Sequence, residues 1–157
     1  MTDAALGQQP IRVLFVCTHN SARSIMAEAL LRHHGGPDFE AFSAGTEPGE
    51  VRPLTLRVLH EAGLDTRGLR AKSVDELREQ HFDYVITVCD QARQACPAFP
   101  GNHHSLHWGY EDPSTAAGSE EDRLRAFRRV CMQISGRVTQ FVSDARRAAA
   151  GESVAVG

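Results

Sequence analysis

The sequence predicts an α/β fold built on a parallel sheet, and three observations support this prediction. The apolar, β-branched runs at 11–16 (IRVLFV) and 83–89 (DYVITVC) are typical of strands buried on both faces. Apolar residues at helical spacing follow at 22–34, 53–63 and 119–149. Strands that alternate with helices imply right-handed crossovers, with helices on both faces of the sheet. We therefore predict a three-layer αβα architecture similar in layout to other doubly covered parallel sheets.

The remaining elements complete this layout. Residues 39–45 (FEAFSAG) form a second predicted strand, and Pro53 suits the first turn of the helix at 53–63. Residues 104–108 (HSLHW) are a weaker fourth strand. Before it, Pro97 and its neighbours exclude a long helix, because proline cannot continue the helical hydrogen-bond pattern. We therefore expect a four-stranded parallel sheet.

Length and charge narrow the class of protein. The chain has 157 residues without a repeat or linker, so we expect one domain, 1–157, with flexible tails at 1–9 and 150–157. Its 17 basic and 20 acidic residues give a net charge of −3, which does not favour binding to nucleic acid or to an anionic membrane. No apolar run approaches the roughly 20 residues of a membrane span, and no leader is recognisable. We expect a cytoplasmic protein, acting as a monomer.

Four cysteines are too few for a secreted disulfide scaffold, and none form a CxxC pair. Cys131 lies at helical spacing among apolar residues, so we expect it in the core. Cys17 and Cys89 each follow a predicted strand, as does the loop after Trp108. Ligands of parallel sheets bind beyond the carboxyl ends of the strands. These three places should therefore gather at one edge and form a site.

The stretch VCTHNSARS (16–24) has the chemistry of an oxyanion-binding loop around a nucleophile. If its amides point inward at the start of a helix, the helix dipole and the amides favour a tetrahedral anion and the thiolate form of Cys17. Arg23 can bind two oxygens of such an anion. The loop residues are Thr18, His19, Asn20, Ser21, Ala22, Arg23 and Ser24. The serine hydroxyls can donate to the thiolate, and Asn20 tolerates a left-handed turn.

Several further motifs, in this order along the chain, resemble those of a known protein family. Cys17-x5-Arg23-Ser24 after a strand, FSAGTEP, KSVDEL, DYVITVCD, the interval from Cys89 to Cys96, and HWGYEDPS run through most of the chain. Together they resemble the thioredoxin-coupled arsenate reductases, which share the fold of the low-molecular-weight protein tyrosine phosphatases. The resemblance implies an arsenate reductase that serves in arsenic detoxification.

The resemblance also implies a role for each residue. Cys17 would attack arsenate held by Arg23, with Asp112 as the general acid. Cys89 would then attack Cys17 and release arsenite, and Cys96 would attack Cys89 and carry the disulfide outward. An external thiol reductant would reduce the enzyme again. Thioredoxin fits the Cys89–Cys96 pair, and a glutaredoxin or mycoredoxin-type protein or a small thiol is the alternative reductant. No tightly bound cofactor or metal is expected, and a cation near Asn20 is left open.

Geometry adds an inference that does not depend on the family. If residues 89–96 formed one regular helix, the Cα atoms of Cys89 and Cys96 would be about 10.5 Å apart. A disulfide needs a separation of less than about 7 Å. The segment must therefore rearrange, and we expect it to be ordered when reduced and to loop out on oxidation.

Alternative functions remain at this stage. A small phosphatase that hydrolyses phosphomonoesters through a Cys17 phosphoenzyme would use the same loop, and a non-catalytic anion sensor would need only its binding. The segment DPST, which begins at Asp112, lacks the tyrosine pair common after the acid in the phosphatases, which weakens the phosphatase alternative.

Two loop residues depart from the family: His19 stands where glycine is common, and Ala22 where some relatives have cysteine.

Overall fold

The computed structural model describes residues 9–157, and these form a four-stranded parallel sheet with strand order β2-β1-β3-β4. The predicted fold class is confirmed. The elements in chain order are β1 (Ile11–Cys17), α1 (Arg23–Gly35), β2 (Phe39–Gly45), α2 (Pro53–Glu61), β3 (Tyr84–Thr87), α3 (Asp90–Ala95), β4 (His104–His107) and α4 (Glu120–Ala149). Short 3-10 turns lie at Gly36–Asp38, Val74–Leu77 and Pro113–Thr115.

Strand β1 lies in the interior of the sheet, between β2 and β3, which explains its uninterrupted apolar sequence. Its four central residues, Val13 to Val16, have no exposed surface. The parallel register sets Cys17 opposite Gly45 and Val16 opposite Thr87. The carboxyl ends of β1, β2 and β3 are thus level, and the loops that follow them start at the same edge.

Helix α4 covers one face of the sheet together with α1. Its start is fixed by a capping box, in which Ser119 and Asp122 each bind the other's backbone amide. Phe141 packs edge-to-face against Trp108 and Tyr84, with ring centres 5.6 and 5.0 Å apart. Trp108 is 1% exposed, so its role is packing beside the site, and burying a side chain of this size contributes about 2–3 kcal/mol.

The other face of the sheet carries an aromatic cluster. Phe82 packs against Phe42 and Phe99 with ring centres 5.3 and 5.6 Å apart. The Arg12 guanidinium lies 4.7 Å from the Phe42 ring centre and donates to the carbonyl of His81. The cluster packs the residues just before β3 against the sheet, and this packing fixes where β3 begins.

The two predicted tails lie only partly within the described residues. Of the predicted tail at 1–9, residues 1–8 lie outside the described residues. Residues 152–157 have no regular secondary structure, although Val156 is partly buried against the core. The flexibility of both tails stays a prediction. No helix within residues 9–157 is both long enough and apolar enough to cross a membrane.

Cys131 lies in the core as predicted, and its ionisation should couple to stability. Burial raises the pKa of this thiol from 9.0 to about 11. Between these two pH values the unfolded chain loses the proton while the folded chain keeps it, so the free energy of unfolding falls as pH rises. We expect a loss of about 2 kcal/mol by pH 11.

Urea unfolding of the wild type and of Cys131→Ala at pH 8 and pH 11 measures this loss. The variant should lose less stability over the same interval, by the amount that Cys131 contributes. An equal alkaline loss in both proteins would contradict the assignment.

Candidate active site

The loop after β1 leads directly into helix α1 and leaves the start of that helix open. Ala22 is the N-cap residue and provides no side-chain hydrogen bond, and the first turn contains no acidic residue. The first amides of a helix have no partners within the helix. In this chain they are therefore available, together with the helix dipole, to an anion beside Cys17.

Cys17 is buried at the bottom of this loop, with 2% of its surface exposed. The backbone amide of Asn20 donates to its Sγ at 3.2 Å, and Ser24 Oγ lies 2.9 Å from the same sulfur. Because Ser24 Oγ already accepts a hydrogen bond from the Asn20 side chain at 2.8 Å, its own hydrogen is free to donate to the sulfur. Both contacts place hydrogen-bond donors at the sulfur of Cys17.

Asn20 shapes the loop. Its φ of 52° is the left-handed conformation, which asparagine tolerates better than most residues. Its side-chain amide donates to Ser24 Oγ and to Ser43 Oγ, and its oxygen accepts from the Lys72 amide at 2.9 Å. Both N–H groups donate and the oxygen accepts, so both polar atoms of this buried amide have partners and the left-handed turn is fixed.

The network continues behind the loop into the core. Ser43 Oγ donates to the buried Glu28 carboxylate at 2.5 Å, and Glu28 also pairs with Arg32. The Lys72 ammonium donates to the carbonyls of Ser43 and Arg70 at 2.8 and 2.9 Å, and burial lowers its pKa. The Asn20 side-chain oxygen and the carbonyls of Ser43 and Arg70 thus all accept hydrogen bonds from Lys72. Among the described residues, no three His, Cys, Asp or Glu side chains are grouped as a metal ion requires.

Cys89 lies beside this loop. It is 5% exposed, and Thr18 Oγ1 lies 3.2 Å from its Sγ. The arrangement follows from the sheet, since Val88, the residue after β3, donates its amide to the Val16 carbonyl, and a cysteine follows each of these two residues. The predicted gathering of Cys17 and Cys89 at one edge is therefore confirmed. No sequence pattern indicates Thr18 as the link between these two cysteines.

Cys96 is set apart from the other two thiols by helix α3. Cys89 is the N-cap of this helix and Cys96 its C-cap, and both are free cysteines. In a regular helix, the rise over this interval corresponds to a Cα separation of about 10.5 Å. Cys96 is half-buried, its Sγ donates to the Pro97 carbonyl at 3.6 Å, and burial raises its pKa. In this arrangement Cys96 is a weak nucleophile and out of reach of Cys89.

Arg23 and Asp112 meet at the opening of the site, in a cleft of about 610 Å³. Arg23 donates to the Tyr110 carbonyl at 3.0 Å, and its other terminal nitrogen lies 3.5 Å from Asp112 Oδ2. Partial burial raises the pKa of Asp112, but hydrogen bonds from Ser114 and the nearby Arg23 and Arg52 outweigh it and hold the pKa below its ordinary value. Without an anion in the cleft, Asp112 is thus ionised at neutral pH.

The remaining loop residues, His19 and Ser21, are held by contacts with the segment after β2 and with α2. His19 Nδ1 lies 2.9 Å from the Glu47 carbonyl, and the His19 carbonyl accepts from the Gly49 amide at 2.9 Å. The Ser21 carbonyl accepts from the Arg52 amide and from Thr55 Oγ1. His19 is therefore engaged with the segment after β2, and this contact gives a physical reason for a side chain at that position.

Gly45 allows β2 to approach the loop closely, and its substitution gives a test of the loop geometry. A Cβ at this position would lie 2.7 Å from the Thr18 carbonyl oxygen and 3.0 Å from the His19 carbonyl carbon. Since both are backbone atoms, Gly45→Ala must displace the loop. We expect a loss of about 2 kcal/mol in the free energy of unfolding and a fall in kcat/KM of more than about tenfold.

Gly136→Ala is the matched control. Gly136 lies on the exposed side of α4, where an added Cβ has no neighbour within 4 Å. Because alanine favours a helix over glycine, we expect this variant to be about 0.5–1 kcal/mol more stable with unchanged activity. Thermal unfolding and initial rates measure both. A Gly45→Ala protein with the stability and activity of the wild type would contradict the close approach.

Comparison with known proteins places this arrangement in a family. Residues 12–151 match the family model described as low molecular weight phosphotyrosine protein phosphatase. The arsenate reductase of Halalkalibacterium halodurans is 35% identical over 134 residues, which are 85% of this chain and 96% of that protein.

Solved structures agree. The arsenate reductase of Archaeoglobus fulgidus is 38% identical with a TM-score of 0.67, over 83% of this chain and 98% of that one. A thioredoxin-dependent arsenate reductase of Corynebacterium glutamicum is 29% identical with a TM-score of 0.68, over 92% of this chain and 66% of that one. The chain therefore belongs to the low-molecular-weight phosphotyrosine protein phosphatase family and, within it, to the arsenate reductases.

Proposed function

We propose that this enzyme reduces arsenate to arsenite through Cys17, Cys89 and Cys96, and that an external dithiol of the thioredoxin type resets it. One observation carries the proposal: two buried thiols lie at the carboxyl ends of adjacent strands and are connected through Thr18, while a third thiol lies at the far end of a short helix. We also propose that the enzyme works as a monomer in the cytoplasm, where such reductants keep thiols reduced.

In the first step, arsenate binds between the loop amides and Arg23. Its negative charge draws the guanidinium away from Asp112, and both changes raise the pKa of that carboxyl, so that Asp112 takes up a proton. The Cys17 thiolate attacks arsenic, a sulfur–arsenic bond forms, and one arsenic–oxygen bond breaks. Asp112 protonates the departing oxygen, which leaves as water. Arsenic remains pentavalent at this stage.

In the second step, the Cys89 thiolate attacks Cys17 Sγ. The electron pair of the sulfur–arsenic bond passes to arsenic, which becomes trivalent and leaves as arsenite. The two sulfurs are oxidised to a Cys17–Cys89 disulfide. The position of Cys89 beside Thr18, the residue next to Cys17, supports this role because the attack needs little movement of the chain.

In the third step, the Cys96 thiolate attacks Cys89 Sγ, a Cys89–Cys96 disulfide forms, and Cys17 leaves as the thiolate. The helix between them must open for this, since the disulfide requires a shorter Cα separation than the helix permits. The oxidation thereby moves from a buried pair to a half-buried cysteine that a protein reductant can reach.

The phosphatase alternative keeps support from the family model and from the loop itself. A Cys17 phosphoenzyme, hydrolysed by water, would use Arg23 and Asp112 in the same positions and would need neither Cys89 nor Cys96. The proposed function is tested by incubating the enzyme with arsenate, thioredoxin, thioredoxin reductase and NADPH. Arsenite should form in step with NADPH oxidation; phosphate ester hydrolysis without any arsenite would favour the alternative.

A further inference from the structure

A histidine connects the two strands next to the site with the first residue of α3. The imidazole of His107, the last residue of β4, places Nδ1 2.8 Å from Thr87 Oγ1 on β3. Its Nε2 lies 3.0 Å from Oδ1 of Asp90, which follows Cys89 directly. The side chain of His107 is 20% exposed and that of Asp90 is 90% exposed.

The hydrogen positions of this contact follow from its chemistry. A carboxylate only accepts hydrogen bonds, so Nε2 carries a hydrogen and donates it to Asp90. In the neutral ring, Nδ1 accepts from the Thr87 hydroxyl. In the protonated ring, Nδ1 donates to that hydroxyl, which then turns toward the Leu106 carbonyl at 3.4 Å. Thr87 thus holds the ring in the same place in both charge states.

Helix α3 depends on such external contacts. It has six residues, far fewer than an isolated helix needs, and the Cys89 side chain makes no capping hydrogen bond. Three contacts hold the helix in place. These are the packing of the fully buried Ala92, the contact of Gln91 Oε1 with Thr18 Oγ1 at 3.2 Å, and the pair of Asp90 with His107.

The backbone beyond β4 passes close to this pair. A Cβ at position 109 would lie 3.4 Å from His107 Nε2 and 3.8 Å from Asp90 Oδ1, which are ordinary van der Waals distances. The turn that leads to the Asp112 loop therefore lies directly beside both side chains.

We propose that Asp90 and His107 form a clasp that holds α3 in its helical form and positions Cys89 beside the loop. The clasp rests on the proposed function, since its purpose is to keep Cys89 directed at Cys17 until arsenite has left. In the third step α3 must open, Cys96 attacks Cys89 Sγ, and Cys17 departs as the thiolate. The clasp sets how often this opening occurs. Both residues act through Cys89 and are positioning residues.

The test uses the reduced full-length protein without arsenate. Amide hydrogen exchange of residues 91–96 reports the opening of α3. In a Cys17→Ser background, diamide takes two electrons and two protons from Cys89 and Cys96, and the rate of disulfide formation reports the same opening chemically. We expect Asp90→Ala to raise both rates about threefold, the size typical of the loss of one side-chain hydrogen bond.

Asp90→Asn is the matched control, because its amide oxygen still accepts from His107 Nε2 while the charge at the helix start is removed. We expect it to behave like the wild type. His107→Ala should match Asp90→Ala, and the double variant should show no further increase, since both substitutions remove the same contact.

Equal acceleration in Asp90→Ala and Asp90→Asn would overturn the clasp in favour of the charge at the helix start. Unchanged rates in Asp90→Ala, or additive effects in the double variant, would overturn it as well. If His107→Ala does not fold, the two Asp90 variants decide alone, because that side chain is almost fully exposed. Since no arsenate is used, these outcomes are independent of the arsenate assay that tests the proposed function.

Discussion

Cys89→Ser is expected to abolish multiple-turnover arsenate reduction while leaving the chemistry of Cys17 intact. The expected loss is on the order of 10³-fold or more, as is typical when a residue that acts as one unit with the nucleophile is removed. The hydroxyl of serine cannot form the disulfide with Cys17, so the thiol adduct of arsenate has no route to arsenite. Serine is close in size to cysteine and should preserve the packing beside Thr18.

Two measurements together distinguish loss of the disulfide step from loss of the Cys17 nucleophile. Arsenite formation with a thioredoxin system should disappear, whereas the rate at which iodoacetamide alkylates Cys17, and any hydrolysis of a small aryl phosphate, should stay within about threefold of the wild type. Cys131→Ala is the control for loss of a cysteine outside the site and should retain turnover. Multiple-turnover reduction by Cys89→Ser would show that an external thiol resolves Cys17 directly.

Arg23→Lys is expected to lower kcat/KM for arsenate by about 10²–10³-fold. The guanidinium lies at the opening of the cleft, between the Tyr110 carbonyl and Asp112, where its planar fork can bind two oxygens of a tetrahedral anion. A lysine ammonium keeps the charge but loses this geometry. The loss should be similar for aryl phosphates, because both anions bind in the same loop.

Arg67→Lys is the matched control. The Arg67 side chain is 91% exposed and pairs with its neighbour Asp65, so its replacement should change neither rate by more than about twofold. Initial rates over a range of substrate concentrations, with thermal unfolding to verify folding, make the comparison. An Arg23→Lys enzyme within fivefold of the wild type would contradict the role of the guanidinium.

The sequence was sufficient to predict the fold class and the loop, because both depend on local patterns. An apolar run, a polar loop and a helix are neighbours in the chain from Ile11 to Gly35, so their order already specifies how the loop meets the helix. Parallel pairing then places Cys17 and Cys89 at one edge with no further information. The rise of a helix added only a conditional expectation, that a regular helix over 89–96 would hold Cys89 and Cys96 too far apart for a disulfide.

The contacts between distant segments could not be predicted in this way. The Lys72 amide on Asn20 joins residues 52 positions apart, and Thr18 on Cys89 joins residues 71 apart. Each depends on the register of two strands and on the path of a loop, to within about an ångström. His19 is a similar case: its role is a contact with the carbonyl of Glu47, 28 residues away, and nothing in the loop sequence indicates it.

The most direct test of the three-thiol relay is to map the disulfides after a single turnover. The reduced enzyme is mixed with arsenate in the absence of any reductant, its free thiols are blocked, and the digested peptides are analysed by mass spectrometry. The wild type should carry mainly a Cys89–Cys96 disulfide, and Cys96→Ser should stop at a Cys17–Cys89 disulfide. Arsenite released with all three thiols still reduced, or with Cys17 bound only to an added small thiol, would contradict the relay.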